Sequence, residues 1–433
     1  MDVCGGLSLV GNSTLLAANL TVVQGATPAA SVASFDVIGA TLRSCESFAV
    51  ADRSAVRVTN ASLVNCTVLR VSLAATVSAY VGLTGGSFLV VDGVVVRGAA
   101  GGVVVDGANS SAAVVECGGG SAVLLLNVTI AGPPTASALR IDVPTSRGVV
   151  VVLAGNSTVS VVQSSFSAAA GAWVAVDASL SDGAHVVVAN GSVVAVRGCR
   201  WGGGALLLLA APRSASFSLA VANGSHVAVS DCSLTGGAVA VVAFDAHGAA
   251  NASAVFVDSS VVVDRVELGL PGSGSGIFDV GLASAVNCSF AVVRGRIVVS
   301  RTASAASYVS LDAAGSDVVS ATITDGAVVQ VLGCSGLTLG GAAISVAAPL
   351  SRGFALSVAG GSVVGVSASA VAQTALALNL SAAQAAAVGV TGASVLLMEN
   401  LPGTSYYFFL MNPLMTLDYS SSVSSVLEVS GSS

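Results

Sequence analysis

The sequence predicts an all-β chain wound as a right-handed parallel β-helix, a solenoid of about eleven or twelve coils with roughly 34 residues and three short strands per coil. Three observations lead there. Near copies recur at a fixed interval, as in VANGSVVAVRGC ending at Cys199 and VANGSHVAVSDC ending at Cys232, 33 residues further on. Hydrophobic residues reach 54%, with 9% charged, 4% aromatic and 50 Gly, so the apolar content is Val, Ala and Leu among Ser and Gly, a small-residue texture. Apolar runs are short and often alternate with period two, whereas the helical spacing of tetratricopeptide and ankyrin arrays is absent.

Taking the Ser of NGS as a phase marker, Ser192 and Ser225 are joined by Ser54, Ser87, Ser121, Thr158, Ser260, Ala327, Ser362 and Ala393, mostly 31 to 37 residues apart. The first strand of a coil follows its marker, as in SVVAVRG and SHVAVSD. A second comes about fourteen residues later: ALLLLAA from Ala205, AVAVVAF from Ala238, AWVAVDA from Ala172 and ALALNLS from Ala375. A third leads into the next marker, as in SFSLAVANGS. The corner before it carries Pro144, Pro212 or Pro349, where a residue that cannot donate to a ladder belongs. Phe217, Leu219 and Val221 face one way, and Ser216, Ser218, Ala220 and Ala222 the other. Stacked coils put like on like, so repetition itself makes the core.

Residues 1–399 are expected to form the solenoid and 400–433 a cap or tail, with the aromatic SYYFFLMNPLMTLDY over the last coil. SSSVSSVLEVSGSS reads as an extended tail or a truncated next rung. At about 4.8 Å per rung the rod would be roughly 60 Å long. The N-terminus has an acid at position 2 and no basic region, so it does not read as a secretory leader, and the chain is cytosolic or a piece of a longer one. The uncharged window between Arg352 and Glu399 is interrupted by AGGS, SAS, AAQ and TGAS and reads as strand, not membrane span. All fifteen basic residues are Arg and the net charge is −7, which disfavours nucleic acid.

Of the eight cysteines, Cys199, Cys232 and Cys334 lie seven residues after their markers, hence at one corner. Cys199 and Cys232 fall on adjacent rungs with Cα atoms about 5 Å apart, within disulfide range. A buried thiol ladder is the alternative, favoured because parallel side chains hold their Cβ atoms farther apart than a bridge prefers. Twelve of fourteen asparagines begin N-x-S/T: Asn12, Asn19, Asn60, Asn65, Asn109, Asn127, Asn156, Asn190, Asn223, Asn251, Asn287 and Asn379. Chance would give roughly three, so the excess points to N-glycosylation and to a cell-surface or secreted protein. A structural reading stands beside it. Asn156, Asn190 and Asn223 fall at one corner of successive coils, where Asn favours tight turns and stacked amides. Glycans there would crowd, leaving Asn109 and Asn379 as the clearest sites.

Parallel β-helices often carry carbohydrate-active chemistry, which needs paired carboxylates. Asp92, Asp106, Asp177, Asp231, Asp245, Asp258 and Asp325 instead read as solvated strand ends and turns, and Asp264, Arg265 and Glu267 as a coil corner. The cationic stretch with Arg294, Arg296 and Arg301 reads as an exposed strand relieving an acidic surface. His226 shares a strand with Asp231, and His185 is expected a few rungs away, but no nucleophile elbow accompanies them. No metal-ligand spacing and no phosphate loop occur, so neither a catalytic residue nor a cofactor is assigned.

The Val/Ala/Ser texture, the repeated NGSxVxVxxC from Asn190 to Cys199 and Asn223 to Cys232, VNCT at Asn65 and VNCSF at Asn287 resemble the dispersed gene family of surface proteins in trypanosomatid parasites and their kinetoplastid relatives. The resemblance implies a pectin-lyase-like β-helix, glycosylation, membrane association and an adhesive role. This chain is shorter and lacks the C-terminal membrane segments of that family, so the resemblance implies a fragment or short paralogue whose anchor lies elsewhere. The sequence thus leads to a non-enzymatic surface or secreted rod that contacts extracellular matrix, glycan or a cell-surface partner, or associates with itself laterally or end to end. A carbohydrate-active β-helix enzyme is the alternative.

Overall fold

A computed structural model describes residues 6–430, apart from 19–20, 24–29, 36–46, 65, 74–75, 99–100, 132–135, 168–170, 271–275, 304, 336, 338–340, 370–373, 400–414, 419, 421 and 424–425. Among the described residues every strand pairing is parallel and every partner lies one coil away, so the chain is a β-solenoid with a period near 34 residues and three principal strands per coil. Among the described residues there is no helix.

One coil illustrates all. His185–Val188 lies in sheet A, Val193–Arg197 in sheet B, the short Arg200–Trp201 continues B around a bend, and Gly204–Ala210 lies in sheet C. The next coil starts at Ser218–Ala222, with Val186 beside Leu219. Among the described residues sheet A is a single ladder of 13 strands. Sheets B and C merge where His226–Asp245 runs unbroken for 20 residues through both. The winding continues past residue 399: Met415–Asp418 pairs with Thr374–Asn379, and Val426–Ser430 with Ala387–Thr391. Most of the aromatic stretch expected as a cap lies outside the described residues.

Vertical stacking makes the core. Val161, Val196, Val229, Val263, Val299, Val331 and Val366 form one column on consecutive rungs of sheet B, all buried. A branched side chain fits the pleat and meets its own copy above and below. Burying each stabilises by about 1.5–3 kcal/mol relative to exposure. Where one column shrinks, its neighbour grows: Ala254 shares a strand with Phe256, and Ala321 with Ile323.

The corners explain the Asn and Gly content. Between A and B the chain passes Asn190 (φ 56°) and Gly191 (φ 73°), and at the bend in B it passes Gly198 (φ 63°). Between C and A it passes Arg213 (φ 55°) and Ser216 (φ 56°). Left-handed backbone favours Gly and, among residues with a Cβ, Asn and Asp. Thr145, Arg213 and Leu350, which follow the three corner prolines, all have positive φ, the pairing that a type II turn requires.

Candidate functional site: the corner columns and the carboxylates of sheet C

Serines at the phase-marker place form a ladder. That place is held by Ser157, Ser259 and Ser394 and not by Thr158, Ser260 and Ala393, each one residue out of register. The N–H of Ser87 donates to the hydroxyl of Ser121 (3.1 Å), Ser121 to Ser157 (3.2 Å), Ser157 to Ser192 (3.2 Å) and Ser192 to Ser225 (3.3 Å). All five are fully buried, and the hydroxyls of Ser121, Ser157, Ser192 and Ser225 each satisfy a backbone donor that the turn removes from the regular ladder. A second ladder at the C-to-A corner runs from Ser110 to Ser146 and from Ser146 to Ser181.

Nine sequon asparagines, Asn12, Asn60, Asn109, Asn127, Asn156, Asn190, Asn223, Asn251 and Asn287, have φ between 50° and 67° and are exposed at corners. The Nδ2 of Asn223 donates to the Oδ1 of Asn190 (3.2 Å), and that of Asn287 to Asn251 (2.7 Å). Asn156 shares the corner of Asn190 and Asn223 but fills its second left-handed place, opposite Gly191. The residue two places on is a ladder serine at Ser192 and Ser225 and the first residue of a strand at Thr14, Ser62, Thr129, Thr158 and Ser253, whereas Ser111 lies on an isolated bridge and Ser289 inside a strand. The asparagine of the pattern thus has an architectural cause at all nine corners, and the serine has one at Ser192 and Ser225. Asn379 differs: it is half-buried at a strand end of sheet C, and its Oδ1 accepts the N–H of Ser381 (3.0 Å). Asn19 and Asn65 lie outside the described residues, as do Cys4 and Cys45.

Cys199 and Cys232 occupy adjacent rungs of the corner column that also holds Cys334, and all three are buried free thiols. Each Sγ donates to the carbonyl two residues back: Arg197 (3.3 Å), Ser230 (3.2 Å) and Leu332 (3.5 Å). Cys117 and Cys288 are likewise buried and free. Burial pushes Cys117 up to about 12 and Cys334 up to about 11, so neither supplies thiolate near neutral pH.

The carboxylates of sheet C are the feature closest to a reactive site. Asp106, Asp142 and Asp177 stack on three successive rungs at the end of the sheet, and Asp245 and Asp312 continue their column. Most cap the turn that follows. Oδ1 accepts the N–H two residues on, from Ala108 to Asp106 (3.3 Å), Ser179 to Asp177 (2.9 Å), His247 to Asp245 (3.0 Å) and Ala314 to Asp312 (3.0 Å). Where that N–H is missing because the residue is proline, at Pro212 and Pro349, the capping position is Ala210 and Ala347. Asp142 is the exception, since it precedes Pro144. It pairs instead with Arg140 (2.6 Å), and Asp106 with Arg70 (3.0 Å). Burial raises the pKa of Asp142 against the pull of Arg140, and the flanking Asp177 and Asp106 add to the rise.

Asp279 sits two residues upstream of this column, between the rungs of Asp245 and Asp312. Burial raises its pKa, Ser310 Oγ donates to its Oδ1 and opposes the rise, and Asp312 and Asp245 reinforce it. Sequence reasoning passed over Asp142 and Asp279. The spacings of 36 and 35 residues along Asp106, Asp142 and Asp177 could have exposed the first, whereas Asp279 lies out of phase. Asp106, Asp177 and Asp245, expected to be solvated, are half-buried.

Several other charges pair along the corners. Asp231 meets Arg197 (3.6 Å) and Arg265 (2.5 Å), and Asp264 meets Arg265 (3.0 Å) and Arg301 (2.5 Å). Arg294 lies between Asp258 (2.7 Å) and Asp325 (3.8 Å), and its guanidinium holds the carboxyl of Asp258 below the usual range. Asp92 accepts the Nδ2 of Asn127 (3.0 Å). His185 and His226 lie on exposed faces, each with Nδ1 against a serine of the next rung, Ser218 (2.5 Å) and Ser260 (2.7 Å). Among the described residues no group of three or more His, Cys, Asp or Glu is placed to hold a metal ion, and no helix is long and apolar enough to cross a membrane.

Compared with known proteins, the chain matches no family model, no curated protein and no solved structure.

Proposed function

We propose that this chain is a non-enzymatic rod with a structural or adhesive role at a cell surface or in secreted form. Its flat outer faces would meet matrix, glycan or a cell-surface partner. The observation that carries the reading is the use of the recurring polar side chains. Serines, corner asparagines, most sheet C aspartates and the Arg–Asp chains bond mainly to the next rung or to their own turn. Groups committed to the architecture leave few for catalysis, and small residues facing outward offer area without chemistry. Many weak contacts on a long face bind through multivalency.

The test is binding of the purified chain, single and artificially tetramerised, to immobilised matrix proteins and glycans. Retention that rises by about 10² or more on tetramerisation supports weak multivalent contact; no retention of either form on any surface counts against it. Glycopeptide mapping from the native source tests the secretory part. Because the corner geometry alone accounts for asparagine at nine of the sequons, unoccupied sequons throughout would remove the case for secretion.

The second reading is a carbohydrate-active enzyme, and Asp279 is the observation that favours it. A carboxyl whose pKa is raised by burial beside other carboxylates is the arrangement of a general acid. Asp245 and Asp312 lie one rung away and two residues along, roughly 8 Å from it, within the range of inverting glycosidases. Release of reducing ends from a polysaccharide panel, abolished by Asp279→Asn, would establish this reading over the first.

A further inference from the structure

The interior of the coil is incompletely filled. A cavity of ≈ 200 Å³ runs along the axis, lined among others by Val115, Val151, Val159, Val174, Val194 and Val227 from the three sheets. A second, of ≈ 100 Å³, lies further along and is lined by Ile297, Ile323, Val329, Ile344 and Val364 among others. Between them stand Phe256, Phe278 and Phe290, with ring centroids 5.9 to 6.3 Å apart. Phe256 and Phe278 close the first cavity and Phe290 bounds the second.

The cause lies in the columns. The walls are Val with Leu and Ile, aliphatic side chains that suit the pleat but stop short of the axis, so the lumen stays open between them. The phenylalanines show that the same walls accept a larger side chain, so the open lumen follows from composition and not from the fold alone. Atoms lining such a space lack dispersion partners on one side. The walls offer almost nothing to hydrogen-bond, so water gains little by entering, and dry apolar cavities of about 150 Å³ bind xenon or benzene.

We propose that the lumen is a binding site for small apolar guests, of the class of xenon or a short hydrocarbon, divided into two compartments by Phe256, Phe278 and Phe290. A guest restores the missing contacts without displacing ordered water.

Crystals of the full chain pressurised with xenon test this directly. Xenon is expected on the axis in the first compartment and, at lower total occupancy, in the second, with none between the phenylalanine rings. Absence of xenon from both compartments, or ordered water in their place, overturns the proposal. Val159→Phe is expected to abolish xenon beside residue 159 while the second compartment retains it, which also shows that the variant is folded. Should that variant fail to fold, the milder Val159→Leu is expected to lower occupancy at the same place at least twofold. Unchanged occupancy in the folded variant overturns the assignment.

Discussion

Asp177 accepts the backbone N–H of Ser179 at 2.9 Å, and one rung further on the place of Ser179 is taken by Pro212, with Ala210 in the place of Asp177. The two solutions are equivalent. A corner N–H that no neighbouring coil accepts is either bonded by a carboxylate two residues back or removed by proline. Much of the acid on this edge of sheet C therefore belongs to the turn, which is why its column of carboxylates does not by itself make an active site.

That equivalence can be tested by exchange. Asp177→Ala is expected to cost about 1 kcal/mol, as for loss of a side-chain cap. Adding Ser179→Pro in that background should recover most of the loss, because the orphaned donor disappears. Urea unfolding of the single and double variants measures both. A double variant less stable than Asp177→Ala would refute the equivalence.

The serine ladder predicts a larger penalty. Ser157→Ala leaves the buried N–H of Ser121 without its 3.2 Å acceptor and should destabilise by about 1–3 kcal/mol. Ser160, on the partly exposed outer face of the next strand, is the control, and its replacement by Ala should change stability by less than about 0.5 kcal/mol. Equal effects at the two positions in denaturant unfolding would show that the ladder contributes nothing.

Val318 is a β-branched residue at φ 53° and 55% exposed, so it carries left-handed strain with little packing to compensate. Val318→Asn should stabilise the chain by about 1 kcal/mol, read as a higher unfolding midpoint. Asn223→Ala runs the other way, losing both left-handed tolerance and the amide bond to Asn190. A lower midpoint for Val318→Asn would contradict the corner assignment.

Asp279 gives a pH-dependent prediction. Its folded pKa is raised by burial, so its contribution to stability is fully present below the unfolded carboxyl value, about 3.9, and is lost as pH rises through the folded value. At neutral pH the ionised form is a cost. Asp279→Asn should therefore raise stability at pH 7, and the gain should vanish near pH 3. A gain that persists unchanged at pH 3 would exclude titration of Asp279 as its source.

The architecture was legible because a parallel solenoid writes its period into the chain: Cys199 and Cys232, 33 residues apart, stand on neighbouring rungs, and the three apolar stretches per period are sheets B, C and A in that order. Ser192 and Ser225 could be used as phase markers without knowing that one bonds the other. That bond depends on the direction of a turn N–H, which no spacing encodes. Sequence excess alone could not separate a glycan acceptor from a left-handed corner at Asn190 or Asn251, since both ask for the same residue. Asp279 escaped notice for a different reason: its neighbours Asp245 and Asp312 come from other coils and share no phase with it.

Leu180 and Leu350 tie the account to one number. They are 57% and 70% exposed and occupy the same corner column, five rungs apart through Arg213, Gly248, Ser284 and Gly315. Spin labels introduced there through unnatural amino acids, sparing the native thiols, should give a double electron–electron resonance distance centred near 24 Å, about 4.8 Å per rung. A distribution centred beyond about 35 Å, or one too broad to define a centre, would contradict the stacking of like residues on like from which every column described above follows.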